Sequence, residues 1–169
     1  MHPLVQLAKD AVELYVREGK IREVREDEFP PELRERAGVF ICLKIYGILR
    51  GCIGTFQPAE PDMARETVRN AISAATCDPR FTCVRTEELD VIEYTVDVLT
   101  PPEPVKERNE LDPRRYGVIV QSGSRRGLLL PDLEGVDTVD FQISIAMQKA
   151  GIPPGTPVKL LRFQVKRYH

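Results

Sequence analysis

Tryptophan is absent from the 169 residues, and histidine occurs only twice, at positions 2 and 169. A histidine-dependent active site in mid-chain is therefore excluded. Ser-His-Asp and Cys-His sets, H-x-x-x-H metal sites and Cys/His zinc clusters would each need a chain end folded into the site. The four cysteines, Cys42, Cys52, Cys77 and Cys83, include no close C-x-x-C pair, which argues against structural zinc. No apolar run approaches the roughly 20 residues of a membrane-spanning helix, and no charged segment followed by an apolar one opens the chain. A cytoplasmic protein with reduced thiols is expected. Charge of one sign is also lacking, with 24 Lys and Arg against 26 Asp and Glu. A nucleic-acid binder normally carries a basic stripe. The densest charged run, Arg22 to Glu28, alternates in sign and reads as a solvated segment. No G-x-G-x-x-G or Walker sequence is present, so a nucleotide-binding βαβ unit is disfavoured.

What is present is a chain of ordinary domain size, 42% hydrophobic. At this length folding buries roughly 70% of the unfolded surface, enough for a core without metal or disulfides. Each cysteine then reads first as a small buried hydrophobe, and this reading is preferred for Cys42, Cys77 and Cys83.

Residues 3 to 18 carry helical periodicity, with Pro3 suited to the first turn and Gly19 to a left-handed stop. Residues 20 to 37 read as a long surface connection with one short helical turn. Residues 38 to 56 alternate as two strands around a Tyr46-Gly47 turn, which predicts a hairpin pairing Ile45 with Ile48, Leu43 with Arg50 and Ile41 with Cys52. A second helix is expected from an Asp62 N-cap to about residue 76, ended by Asp78-Pro79. Then follow a strand at 92–99, a hairpin at 117–121 and 127–130, a third helix from Asp137 or Thr138 to Ala150, and a last strand at 158–165. The two hairpins echo each other, since each return strand begins at Arg-Gly (Arg50-Gly51 and Arg126-Gly127) and a helix follows each. This order predicts an α+β fold, a mainly antiparallel sheet flanked by helices, in a larger and a smaller lobe within one domain of residues 1–169.

The unusual segment is Leu49-Arg50-Gly51-Cys52-Ile53-Gly54-Thr55. Glycines inside a strand mark a bulge or the close approach of a backbone or ligand. Arg50 could hold a carboxylate or phosphate through a two-point contact, with Arg80 joining it in an anion-binding cleft and Thr55 on its lining. Cys52 could then be a thiolate nucleophile held ionised by the neighbouring charge. The plainer alternative pairs Arg50 with an acidic residue and packs Cys52 in the core. With no histidine, proton transfer would fall to a carboxylate, Lys or Tyr. Asp78-Pro79-Arg80-Phe81 reads most simply as a helix stop with a local ion pair, and Leu128 to Pro131 as core.

Arg50 to Thr55 resembles the signature of the AMMECR-type domain family. In order along the chain, Ala74-Ala75, Asp78-Pro79-Arg80-Phe81, Val98-Leu99-Thr100, Gly127-Leu128-Leu129-Leu130-Pro131 and Lys149-Ala150-Gly151 also match. Leu130 to Thr138 is similar to the bacterial branch called AmmeMemoRadiSam system protein A. The resemblance implies an α+β fold with two lobes and a setting beside a Memo-like protein and a radical SAM protein. It implies no established reaction, and no cofactor is expected. Many members carry a Trp in the third helix, where this chain has Phe141 as its nearest large aromatic.

Three functions follow as expectations. The first is an accessory or ligand-binding protein with a cleft at Arg50, Gly51, Cys52, Gly54, Thr55 and Arg80, holding a small anion or a peptide of a partner. The second is a thiol enzyme with Cys52 as nucleophile. The third and least favoured is nucleic-acid binding through Arg114, Arg115, Arg125 and Arg126.

Overall fold

Helix α1 spans Pro3–Glu18, with Leu4, Leu7, Ala8, Ala11 and Val12 on its buried face and Gly19 in the left-handed conformation at its end. The connection from 20 to 38 carries one short helical turn at Pro31–Leu33. Strands β1 (Val39–Ile45) and β2 (Ile48–Thr55) form a hairpin around Tyr46 and Gly47, both at positive φ, the twist that a two-residue hairpin turn requires. Helix α2 (Met63–Thr76) starts at Asp62, whose carboxylate accepts from the Arg65 N–H. Strand β3 (Ile92–Leu99) and a short β4 (Glu103–Val105) follow. Then come β5 (Gly117–Ser122), β6 (Arg125–Leu129) and α3 (Val139–Ala150), and finally β7 (Lys159–Phe163) and β8 (Val165–Tyr168). The computed structural model describes all residues, 1–169.

The fold is α+β, with two four-stranded sheets ordered β2-β1-β3-β8 and β4-β7-β5-β6. The chain divides into a larger unit, Met1–Leu99 with Lys166–His169, and a smaller one, Thr100–Val165. In the larger unit α1 and α2 cover one face of the first sheet, where Val39, Ile41, Leu43 and Val96 are fully buried. In the smaller unit α3 packs on β5 and β6 over Val118, Val120, Ile143, Ala146 and Met147. The echo of Arg-Gly hairpins has a structural basis. In both units the first hairpin strand also pairs antiparallel with the strand that follows the helix, β1 with β3 and β5 with β7. The two glycines do the same work. A Cβ on Gly51 would lie 2.2 Å from the Ala74 carbonyl oxygen of α2, and one on Gly127 would lie 2.1 Å from that of Ala146 in α3.

Two sequence expectations are corrected. The hairpin starts in the expected register, Ile45 opposite Ile48, but a β-bulge inserts Arg50 as an extra residue. Beyond it Gly51 faces Leu43 and Cys52 faces Cys42, in place of the Arg50 and Ile41 partnerships. The last strand is broken at Gln164 into β7 and β8, which join different sheets. β3 stops at Leu99, ahead of Pro101 and Pro102, and Glu103–Val105 adds an edge strand the sequence did not suggest, where Pro104 needs no donor.

Candidate functional site

The bulge aims the Arg50 side chain across the end of the larger unit. Its Nε donates to Glu88 Oε1 at 2.8 Å and its Nη2 to Glu88 Oε2 at 3.1 Å. Further N–H groups reach the Thr82 carbonyl at 2.9 Å and the Cys83 carbonyl at 3.2 Å. The side chains of Arg50 and Glu88 are only 14% and 21% exposed. This two-point pairing holds the Glu88 carboxyl below its usual range, the Arg50 hydrogen bond being the main cause. Arg50 is thus committed to the protein, as the plainer reading of the sequence had it.

Asp78 is the second anchor. It follows the end of α2, and its side chain is 2% exposed. It accepts from the Cys52 N–H at 3.0 Å and from Arg80 Nε and Nη2 at 3.0 and 2.7 Å. Arg80 Nη2 also reaches the Cys52 carbonyl at 3.4 Å. Because β2 is an edge strand, its outward N–H and C=O would otherwise be open to another chain. Asp78 and Arg80 supply one acceptor and one donor to Cys52, as a neighbouring strand would. The Arg80 hydrogen bond, ahead of the Cys52 N–H, keeps the Asp78 carboxyl far below its ordinary value. Pro79 is exposed at the turn between them, and the Phe81 ring lies 5.5 Å from the Arg80 guanidinium and 6.0 Å from that of Arg50.

The other motif residues serve packing. The space beside Gly51 is taken by α2, and that beside Gly54 by the Phe40 ring, so neither is open to a ligand. Thr55 donates to the fully buried Glu66 carboxylate and accepts from Asn70 at 3.0 Å. Glu66 is completed by the Ala59 and Glu60 N–H groups at 2.9 and 2.7 Å, so its buried charge is hydrogen-bonded as such a group must be. Pro131 is buried in the smaller unit. The structure therefore gathers Arg50, Cys52, Asp78, Arg80 and Phe81 and leaves Gly54, Thr55 and Pro131 out of the group.

Cys52 is not a free thiol. It forms a disulfide with Cys42, its direct neighbour across the hairpin, with Cα atoms 4.2 Å apart. The bulge creates this pairing, and it overturns both the reduced-thiol expectation and the unmodified Cys52 nucleophile. Cys77 and Cys83, expected in the core, are exposed. His2 and His169 do meet. His2 N–H donates to the His169 carbonyl, and the His2 ring stacks on Tyr168 at 3.7 Å. Neither contacts Arg50 or Cys52. No three His, Cys, Asp or Glu side chains converge in a metal-binding arrangement, and no helix is long and apolar enough to cross a membrane.

Beside Arg50 opens a groove of about 690 Å³, lined by Arg50, Phe81, Thr82, Cys83, Arg85 and Glu88. Arg85 is exposed on it; its backbone N–H donates to Glu88, and its charge, after that of Arg50, also helps to hold the Glu88 carboxyl down without a direct side-chain hydrogen bond.

The AMMECR1 family profile matches residues 5–169. The chain belongs to the AMMECR1 family. It is 54% identical to a protein of Thermotoga maritima over 99% of this chain and 97% of the relative. It is 46% identical to a protein of Clostridium acetobutylicum over 98% of this chain but 36% of that longer relative. The crystal structure of an uncharacterised protein from Pyrococcus horikoshii superposes with a TM-score of 0.88 at 37% identity, covering 97% of this chain and 88% of that one. The membership extends over both units, so the Arg50 to Thr55 segment and the Gly127 to Pro131 segment lie in one matched stretch.

Four groove residues, Thr82, Cys83, Arg85 and Glu88, escaped the sequence reading. Glu88 had a local signal, since it stands three residues after Arg85, where a carboxylate can cap the start of a helical turn. Thr82, Cys83 and Arg85 had none. Their place in the groove depends on how the loop after α2 docks on β2.

Proposed function

We propose that this protein is an accessory, ligand-binding member of its family, with the groove beside Arg50 as its binding site. The occupant is a small anion, or an acidic peptide segment of a Memo-like or radical SAM partner. The observation that carries this reading is the charge balance of the groove. Two cations, Arg50 and Arg85, share the single Glu88 carboxylate, and the exposed Arg85 carries the positive excess in the groove that Phe81 also lines. A positive group beside an apolar wall, in an open groove, suits a carboxylate or phosphate attached to an apolar body. The likeness of Leu130 to Thr138 to the AmmeMemoRadiSam branch supports the choice of partners.

The test uses Arg85, because removing Arg50 would damage the fold. Binding of a panel of carboxylates and phosphates is measured by calorimetry, and capture of purified Memo-like and radical SAM proteins is measured alongside. Arg85→Glu is expected to weaken whichever interaction is found by at least tenfold while leaving the melting temperature within a few degrees. If every interaction survives the charge reversal unchanged, or none exists, the reading is wrong.

A further inference from the structure

All four cysteines of the chain lie in the larger unit, and one set of hydrogen bonds links the segments that carry them. The disulfide-bonded Cys52 gives its N–H to Asp78 and its carbonyl to Arg80. Asp78 directly follows Cys77 in the chain. Arg50, two residues before Cys52, holds the carbonyls of Thr82 and Cys83. The loop from 77 to 83 is therefore fastened near both ends to the strand that bears the disulfide. The two thiols on this loop are exposed and unoxidised. Both sulfurs also converge on Thr76. Cys77 Sγ lies 3.4 Å from Thr76 Oγ1, and Cys83 Sγ donates to the Thr76 carbonyl at 3.3 Å.

We propose that the four cysteines form one thiol–disulfide exchange system, in which the Cys77/Cys83 dithiol and the Cys42–Cys52 disulfide trade oxidation state. A thiolate from the loop attacks one sulfur of the strand disulfide. The S–S bond breaks, and its electron pair leaves on the other strand sulfur, which takes a proton from solvent. The result is a mixed disulfide between loop and strand. The second loop thiolate, having lost its proton to solvent, then attacks the loop sulfur of that mixed disulfide and releases the remaining strand cysteine as a thiol. Two electrons and two protons pass from the loop pair to the strand pair, so no outside oxidant or reductant enters. Attack requires the thiolate, and Cys83 must first give up its hydrogen bond to Thr76. The exchange removes a link across the hairpin at the Arg50 bulge and places one in the loop that lines the groove. It does not depend on the groove's ligand.

The full chain is equilibrated in glutathione buffers of graded redox ratio, quenched with acid, alkylated, digested and mapped by mass spectrometry. At an intermediate ratio a Cys77–Cys83 disulfide, or a mixed disulfide between a loop and a strand cysteine, is expected. The Cys77→Ser/Cys83→Ser variant is expected to lose the Cys42–Cys52 bond to glutathione at least threefold more slowly than the wild type. The proposal is overturned by a rate change below threefold, by maps that show at every ratio only the Cys42–Cys52 form with two free thiols or the fully reduced form, or by a Cys42–Cys52 bond that never forms. If the double variant does not fold, the wild-type map alone decides.

Discussion

Gly51 and Gly127 each sit under a helix carbonyl with no room for even one added carbon. Gly51→Ala forces α2 away from β2, and overpacking of this kind costs about 1–3 kcal/mol. Gly127→Ala should cost about as much under α3, and both losses are read from denaturant titrations. Gly47→Ala, with nothing within 4 Å of its Cβ, should cost less and only through its positive φ. Asp78 makes a second residue-level prediction, in pH. Its folded carboxyl lies well below its unfolded value, so its stabilisation is complete above the unfolded pKa of about 3.9 and is lost as pH falls through the folded value. Glu88 shifts in the same direction and adds to the same acid loss. The melting temperature of the wild type should therefore drop steeply on the acid side of pH 4. In Asp78→Asn, which starts lower at neutral pH, the drop should be shallower.

Among elements, the contact that matters most is the loop after α2 lying along β2. Arg50→Ala removes hydrogen bonds to Glu88, Thr82 and Cys83 together and leaves a half-buried carboxylate behind. The expected loss is about 2–3 kcal/mol, with faster amide exchange confined to residues 77–88. Arg50→Lys should recover little of it, because an ammonium cannot copy the two-point geometry. The helices were legible in the sequence because their signals are local: Pro3 and Gly19 for α1, Asp62 for α2, Thr138 and Gly151 for α3. The hairpin turn was legible for the same reason. The bulge was not, since whether β2 carries an extra residue depends on β1, on Glu88 and on the helix packed over Gly51. One inserted residue then decided the chemistry. Without it Cys52 would face Ile41 in the core; with it Cys52 faces Cys42 and bonds to it. The site residues were thus half visible. Arg50, Asp78 and Arg80 stood out by type and spacing, while their roles depended on contacts that no local pattern encodes.

For the whole molecule, the chain ends are part of the larger unit. His2 is tied to His169 and Tyr168, and Arg167 pairs with the buried Asp97 carboxylate through two contacts of 2.8 Å. Arg167→Ala should cost about 2–3 kcal/mol, since it leaves a buried charge without its partner. Calorimetry on the intact protein measures it. Burial, with the nearby N-terminal charge, lowers the His2 pKa from 6.5. Its share of stability is therefore full above pH 6.5 and declines as pH falls through the lower folded value. Replacing His2 by Gln should flatten that part of the stability profile. The break at Gln164 carries a further consequence, for cooperativity. The ten residues from 159 to 168 deliver an interior strand to one sheet and an edge strand to the other. Without them β4 would have no partner and β3 an open edge, so one ten-residue segment makes the closing of both sheets depend on the same stretch of chain.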